Sequence, residues 1–222
     1  MSDSEKNDAW SAFCGVSSAD EGVRALSAAS QLVKLEAGVP LIEQGSRSNC
    51  VFLITRGELK TVLFTENGHE IWLAKVTKGD LVGEISSLAQ INRTSSVIST
   101  KPVDALKLSD STFREVVHKG GRVSGAIAVL LANRLQNTTE KLAELVAMPV
   151  ASRVHSELAR IGTPSKADSE VFEIAEEVTV SSLGSRVHAT REAASRAIGE
   201  LEKRGLVRRE RGTWTVIVPR DR

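Results

Sequence analysis

Cysteine is scarce in this chain, and its scarcity excludes several kinds of protein. The 222 residues include only Cys14 and Cys50, too few for a disulfide framework, a cysteine-based zinc site or a four-cysteine iron–sulfur cluster. His118 and His155 lie in predicted helices without a second metal ligand at suitable spacing. We therefore expect a protein of a reducing compartment that holds neither a metal nor a cofactor.

Long apolar runs are also absent. No run approaches the roughly 20 residues that a membrane-spanning helix needs. The first ten residues, MSDSEKNDAW, are polar and acidic, unlike an export signal. The composition, 41% hydrophobic and 26% charged, is ordinary for a globular protein of one or two domains. These features predict a cytoplasmic protein without a membrane partner.

The charge is nearly balanced overall but unevenly distributed. The formal net charge is only +1, which by itself does not indicate a polyanionic partner. Residues 178–222, however, contain ten lysines and arginines against five acidic residues. A basic end of this kind is typical of a nucleic-acid-binding surface.

Residues 81–95, LVGEISSLAQINRTS, form the most informative stretch, because they place Glu84 nine residues before Arg93 and directly after Gly83. A planar guanidinium can neutralise a cyclic phosphate diester with two parallel hydrogen bonds, and Arg93 is suited to this. Gly83 permits close approach of the backbone, and Glu84 can accept a hydrogen bond from the free ribose 2′-hydroxyl. If a short helix begins here, its first amides would donate to the same anion; these belong to Glu84, Ile85 and Ser86.

This pattern resembles the phosphate-binding cassette of cyclic-nucleotide-binding domains, including Thr94 after the arginine. In related modules that bind cyclic GMP, threonine at this position can contact the guanine amino group, so cyclic GMP stays open beside cyclic AMP. The segment alone also allows a surface loop in which Glu84 and Arg93 form an exposed ion pair worth about 0 to 1 kcal/mol.

Residues 36–108 alternate short apolar runs with glycine-containing turns, which predicts a β-rich roll or barrel. The predicted strands cover residues 51–55, 59–64, 71–76, 97–100 and 105–108. Aromatic side chains in strands usually pack in the core, and we expect this of Phe52, Phe64 and Trp72.

A long helix is predicted over residues 123–148, after a short helix that Ser109 can cap and before Pro149. Apolar residues and one threonine recur in the long helix in a heptad pattern that a second helix could bury; they are Leu131, Leu135, Thr138, Leu142 and Leu145. The same helix of a second copy would bury this stripe in a homodimer. The alternative is an amphipathic helix that lies on its own domain.

Residues 180–187 and 191–204 predict a helix-turn-helix, with Thr179 and Thr190 as caps and His188 in the turn. At about 100° per residue, the second helix has one polar and one packing face. Arginine can donate two hydrogen bonds to guanine, and glutamate can accept from cytosine. We therefore predict a DNA-reading surface made of Thr190, Arg191, Glu192, Ser195 and Arg196. Alternatively, Glu192 only complements the helix dipole, by about 0.3 to 1 kcal/mol.

A β-hairpin wing is predicted from residues 206–209 and 213–218. Its arginines would contact phosphates and so position the module without reading the base sequence. They are Arg208, Arg209 and Arg211.

In order along most of the chain, these motifs resemble those of the catabolite activator and fumarate-nitrate regulator (CRP/FNR) family. Residues 134–141, RLQNTTEK, are similar to that family's dimerisation helix. The resemblance implies that Thr138 and Thr139 meet the purine from two subunits, and that Arg134 lies near the ligand's phosphate and the glutamate. His188 departs from the glycine usual in the family, and we expect backbone strain there.

The resemblance implies an α+β fold in three parts. These are a cyclic-nucleotide-binding β-roll with flanking helices over residues 1–120, a dimerisation helix over 121–148, and a winged helix-turn-helix DNA-binding domain over 149–222. A homodimer would bind cyclic AMP, or alternatively cyclic GMP, as its allosteric ligand. It would bind double-stranded DNA at a palindromic TGTGA-like site, and RNA polymerase is the further partner implied.

The sequence also bears on two other classes of function. A regulator of the same fold that senses redox state, a gas or haem is one alternative, although two distant cysteines argue against an iron–sulfur cluster. An enzyme is the other, and we do not expect it, because the sequence has no nucleophile with a paired base, no metal-ligand cluster and no Walker loop.

Overall fold

The chain begins with two helices that pack on the first strands. In the computed structural model, which describes residues 1–68, 70–166, 168, 170–175, 178–210 and 213–218, α1 spans Asp3–Cys14 and α2 spans Glu21–Ala29. The Ser2 and Asp20 side chains cap them by accepting from first-turn amides. Trp10 of α1 is fully buried, which ties the two helices to the core of the roll.

Antiparallel strands form the roll itself. They are β1 (Gln31–Leu35), β2 (Pro40–Ile42), β3 (Cys50–Arg56), β4 (Glu58–Phe64), β5 (Glu70–Thr77), β6 (Leu81–Val82), β7 (Ser96–Ser99) and β8 (Val103–Ser109). They pair in two sheets, in the orders β1-β8-β3-β6 and β2-β7-β4-β5. The predicted strands are confirmed as β3, β4, β5, β7 and β8. The short strands β1, β2 and β6 were not predicted.

The central strand β3 is buried on both of its faces. Val51 and Leu53 point to a core shared with α1 and α2, whereas Phe52 and Ile54 point to a second core inside the roll. The expectation for Phe52 is therefore confirmed. Phe64 is 38% exposed at the end of β4, so placing it in the core was wrong.

Three helices complete the first half of the chain: α3 (Glu84–Ala89), α4 (Asp110–His118) and α5 (Arg122–Ala147). Ser109 caps α4 by accepting from the amide of Thr112. Both predicted helices, the short one after Ser109 and the long one before Pro149, are confirmed.

The second half contains α6 (Val150–Ile161), β9 (Thr163–Pro164), β10 (Val171–Ile174), α7 (Val180–Arg186), α8 (Arg191–Lys203), β11 (Val207–Glu210) and β12 (Thr213–Ile217). The strands form one antiparallel sheet in the order β11-β12-β10-β9. The predicted helix-turn-helix and wing are confirmed as α7, α8 and the β11–β12 hairpin. The strand pair β9–β10 was not predicted.

The chain divides into two compact units, Met1–Gln136 and Asn137–Arg222, and each has its own apolar core. The boundary falls inside α5, so this helix contributes residues to both units. The sequence-based division at residues 120 and 148 stays a prediction. Within the described ranges, no helix has the length and apolarity to cross a membrane.

Candidate functional site

Gly83 and Arg93 lie in direct contact behind the first turn of α3. Gly83 follows β6 and has φ +89°, a conformation that glycine adopts without steric cost. Arg93 is only 5% exposed, and its Nη1 donates to the Gly83 carbonyl at 3.0 Å. A Cβ at position 83 would lie 2.6 Å from Nη1. Glycine is therefore required here both for the turn and for the position of the guanidinium.

The other nitrogen of the Arg93 fork contacts Cys50 at the start of β3. Nη2 donates to the Cys50 carbonyl and lies 3.7 Å from Sγ. Burial raises the pKa of the Cys50 thiol, and the neighbouring Arg93 charge offsets this only in part. The thiol is thus an uncharged neighbour of the guanidinium.

Glu84 faces a cation rather than bulk water. Its side chain is 1% exposed, and Oε1 accepts a hydrogen bond from Arg134 Nη1. Arg134 projects from α5 and also donates through Nη2 to the Leu81 carbonyl at 2.6 Å. The structure therefore brings Glu84, Arg93 and Arg134 to the segment around Gly83. An exposed ion pair between Glu84 and Arg93 is wrong, because both side chains are buried and each has other partners.

The first turn of α3 leaves its leading amides without helical acceptors, since the first intrahelical bond runs from Ser87 N to the Gly83 carbonyl. Ser86 is 3% exposed and Ile85 is 45% exposed. Thr94 is exposed directly after Arg93. The roles of these residues toward a ligand stay predictions.

Thr138 and Thr139 belong to the second unit and are both exposed on α5. Their contact with a purine stays a prediction as well.

The residues of the predicted heptad stripe of α5 lie within about 80° of one another around the helix, but they differ in exposure. Leu135 and Leu142 are 69% and 59% exposed, whereas Leu131 and Leu145 are partly covered by the chain. Val129 and Val146, which the pattern did not include, are 61% and 83% exposed. At about 100° per residue, Leu135, Leu142 and Val146 project from one side of the helix, whereas Val129 projects at least about 100° away from them. We call Leu135, Leu142 and Val146 the exposed stripe.

The helix α8 presents the polar face that its sequence predicts. Arg191, Glu192, Ser195 and Arg196 are exposed, whereas Ala194, Ala197, Ile198 and Leu201 are buried. Thr190 caps the helix by accepting from the amide of Ala193 at 3.2 Å. Hydrogen bonding to its own backbone amide and to Thr190, helped by the neighbouring arginines, lowers the pKa of Glu192. A carboxylate and two guanidiniums are therefore displayed side by side.

The turn between α7 and α8 depends on close backbone approach. A Cβ on Gly184 would lie 3.0 Å from the Ala189 carbonyl oxygen. His188 has φ +52°, so the expected left-handed conformation at a residue other than glycine is present. Burial, followed by the charges of Lys141 and Arg153, lowers the pKa of His188, and Glu157 opposes this.

The wing arginines differ in their surroundings. Arg208 is exposed on β11. Arg209 donates to Glu202 of α8 at 3.1 Å through Nη2, and its guanidinium lies 5.1 Å from the Trp214 ring centroid. Arg211 lies outside the described residues. A phosphate could therefore approach Arg208 directly, because this side chain is exposed. At Arg209, a phosphate would compete with Glu202 and Trp214 for the guanidinium.

Sequence reasoning missed a cluster of charged groups on α6. The buried Glu157 accepts from Arg160 Nε at 2.9 Å and lies 3.4 Å from Arg186 Nη1. Arg153 donates to the carbonyl of Val187, at the end of α7. The i, i+3 spacing of Glu157 and Arg160 was the one visible signal.

A separate polar cavity of about 420 Å³ opens at the start of α4, lined in part by Arg47, Asp110 and Arg114. Ser48 donates to Asp110 at 2.8 Å and closes one wall. None of the predicted site residues lines it.

Comparison with known proteins agrees with this geometry. A family model described as a cyclic nucleotide-binding domain matches residues 32–119. The cAMP-activated global transcriptional regulator CRP of Escherichia coli O6:H1 is 24% identical over 168 residues, 75% of this chain and 80% of that protein. A CRP-like cAMP-activated global transcriptional regulator of Mycobacterium tuberculosis is 26% identical over 192 residues, 85% of this chain and 84% of that protein.

Among solved structures, the c-di-GMP-responsive global regulator CLP of Xanthomonas campestris has a TM-score of 0.77 at 19% identity. The match covers 90% of this chain and 99% of that one. At this identity the likeness concerns the fold.

Proposed function

We propose that this chain, in which a cyclic nucleotide-binding domain model matches residues 32–119, is a homodimeric, cyclic-nucleotide-responsive DNA-binding regulator of the CRP/FNR family. The choice of a cyclic nucleotide as the ligand rests on one observation. Two buried groups of opposite charge, Glu84 and Arg93, flank the glycine turn that opens α3. A cyclic nucleotide offers one anionic diester and one free ribose hydroxyl, which match a guanidinium and a carboxylate.

The contacts of the site give each residue a part. Arg93 would neutralise the phosphate with its planar fork, and Gly83 holds that fork in position. Glu84 would accept from the ribose hydroxyl while Arg134 offsets the cost of burying its charge. Amides at the start of α3 would add donors to the phosphate.

Cyclic AMP is the first choice of ligand. Both Escherichia coli CRP and the mycobacterial relative are described as cAMP-activated. In addition, the family resemblance of residues 134–141 implies that Thr138 and Thr139 contact the purine. Cyclic GMP is the second candidate, because Thr94 is exposed beside Arg93, where it can reach a guanine amino group.

DNA would be read by α8. Its exposed arginines and Glu192 supply the donors and acceptor that discriminate base edges in the major groove. In a homodimer joined along α5, two such helices would face half-sites about 34 Å apart. A palindromic TGTGA-like site and contact with RNA polymerase complete the proposal. Linkage requires the site to tighten nucleotide binding by the same factor as the nucleotide tightens DNA binding, typically about 1 to 3 kcal/mol.

Calorimetric titration of cyclic AMP and cyclic GMP into the wild type and Arg93→Ala tests the ligand assignment. We expect a saturable heat in the wild type and at least about a hundredfold loss of affinity in the variant, since a buried charge-assisted pair is lost. Arg114→Ala is the matched control, because Arg114 also donates to a carbonyl of α3, that of Ser87, at 3.3 Å. Retained affinity in Arg93→Ala, or equal losses in both variants, would refute the phosphate site.

A further inference from the structure

The polar cavity of about 420 Å³ beside α4 is separate from the proposed nucleotide site, because its described lining residues include neither Glu84 nor Arg93. Three segments of the first unit line it: residues 47–49 before β3, residues 90–92 after α3, and the first half of α4. Small-molecule sites have volumes of roughly 300 to 1,000 Å³. The cavity is therefore large enough for a metabolite.

Two arginines line this cavity from different segments. Arg47 is exposed, and its side chain has no ion pair or hydrogen bond with any residue that the structure describes. Arg114 Nη1 donates to the Ser87 carbonyl at 3.3 Å and lies 3.9 Å from Asp110 Oδ2. The Nε and Nη2 atoms of Arg114 have no acceptor among the described residues. Since a guanidinium with free N–H groups can bind a carboxylate through two parallel hydrogen bonds, the cavity offers two such groups.

Asp110 adds a carboxylate to the lining of the same cavity. The residue is 7% exposed, and Ser48 donates to its Oδ2 at 2.8 Å. Its Oδ1 is buried and accepts no hydrogen bond from the part of the chain that the structure describes. A carboxylate can accept about four hydrogen bonds, and a buried oxygen without a donor is destabilising. Asp110 therefore favours a ligand that brings a donor, above all an ammonium, and disfavours a ligand that is only an anion.

We propose that this cavity is a second ligand site, and that it binds an acidic amino acid, glutamate or aspartate. Two arginines and one aspartate give its lining a formal charge of +1. An acidic amino acid at neutral pH has two carboxylates and one ammonium, and so carries the opposite charge. The carboxylates pair with Arg47 and Arg114, and the ammonium pairs with Asp110. The exposed amide side chains of Gln90 and Asn92 add further donors.

The first test is an NMR titration of L-glutamate into the isotope-labelled full chain, followed through the backbone amides of residues 90–92. We expect saturable shifts with a Kd of about 1 mM or tighter in the wild type. Arg47→Met should weaken binding by at least about tenfold, because one charge-assisted pair is lost. Arg24→Met, which removes an exposed arginine of α2, should keep the wild-type Kd. Shifts that do not saturate up to about 10 mM glutamate, or an unchanged Kd in Arg47→Met, would overturn the site.

The second test compares ligands that each lack one recognised group. Glutarate has no ammonium and L-glutamine has only one carboxylate, so both should bind the wild type at least about tenfold more weakly than L-glutamate. Asp110→Asn should bind glutamate and glutarate with equal affinity, because the partner of the ammonium is gone. Glutarate or inorganic phosphate binding the wild type as tightly as glutamate would show a general anion site and overturn the assignment. Asp110→Asn changes a buried group and can disturb α4, so the exposed Arg47→Met decides whether the site exists.

A third titration separates this site from the proposed nucleotide site. With saturating cyclic AMP present, glutamate should still bind and still shift the amides of residues 90–92. Displacement of glutamate by cyclic AMP would place it in the nucleotide site and overturn the second site. A wild type that binds no cyclic nucleotide by calorimetry would refute the proposed function alone, because the glutamate titration does not depend on it.

Discussion

Gly83 lets the Arg93 guanidinium approach the backbone closely, because glycine has no side chain. Alanine there would place Cβ 2.6 Å from Arg93 Nη1, so the guanidinium must move away from the position at which we propose that it binds the phosphate. We expect Gly83→Ala to weaken cyclic nucleotide binding by at least tenfold in calorimetry. It should also lower the free energy of unfolding by about 1 to 2 kcal/mol, because φ is left-handed.

Gly79→Ala is the matched control for this clash. Gly79 has φ +93°, and a Cβ there would meet no atom within 4 Å. The two variants should lose similar stability in urea unfolding, but Gly79→Ala should keep its nucleotide affinity. Equal affinities would show that the close approach at Gly83 does not position Arg93.

His188 gives the second unit a pH-dependent stability. Its pKa is lowered below the ordinary value of 6.5, so between these two pKa values the unfolded chain binds a proton that the folded chain does not. The unfolding free energy should therefore fall as the pH drops below about 6.5, until the folded pKa is passed. His188→Asn keeps a residue that tolerates the left-handed conformation and should remove this part of the slope. Urea unfolding of the wild type and of His188→Asn between pH 8 and pH 5 measures this slope. The same pH dependence of the unfolding free energy in both proteins would contradict its assignment to His188.

We expect two arginines of the β11–β12 wing to have different roles, Arg208 in DNA binding and Arg209 in stability. Arg208 is exposed, whereas Arg209 is held by Glu202 and lies over Trp214. Arg208→Ala should reduce the slope of log Kd for DNA against log salt concentration by roughly one, without altering stability. Arg209→Ala should instead lower the unfolding free energy by about 1 kcal/mol, because it loses a paired and stacked side chain. DNA binding at several salt concentrations and urea unfolding of both variants distinguish these roles. A loss of stability in Arg208→Ala, together with a reduced salt slope and unchanged stability in Arg209→Ala, would contradict the prediction.

Elements with strong local signals were predictable from the sequence. The strands β3, β4 and β5 have apolar residues between glycine turns, and α8 has a cap and a clear polar face, so pattern alone sufficed. The strands β6 and β9 are two residues long and exist through pairing with distant partners, which no local pattern encodes. The same limit applied to Glu157, whose neighbour Arg186 is 29 residues away. Arg93 and Glu84 could be predicted as ligand-binding residues because their chemistry lies within one short segment, but their contacts with Cys50 and Arg134, respectively, became visible only in the fold.

We expect assembly of the whole molecule to depend on the exposed stripe of α5. Three large apolar side chains lie uncovered on one side of this helix, an arrangement that a second copy would bury. We expect the wild type to sediment as a dimer and Leu142→Glu to sediment as a monomer at micromolar concentration, because a charge would enter an apolar interface. Ile91→Glu changes an equally apolar residue, 48% exposed, away from α5 and should remain dimeric. Sedimentation velocity decides, and a dimeric Leu142→Glu would place the interface elsewhere.

Both native thiols are buried, and burial raises the pKa of Cys14 to about 12 and also raises that of Cys50. Because only the thiolate is strongly nucleophilic, these two sulfurs should react slowly with maleimides and methanethiosulfonates. A single cysteine introduced on the exposed face of α8 would then be the preferred attachment point for a spin label. Distances between the two labels of a dimer could be recorded by pulsed electron resonance, with the native cysteines left in place.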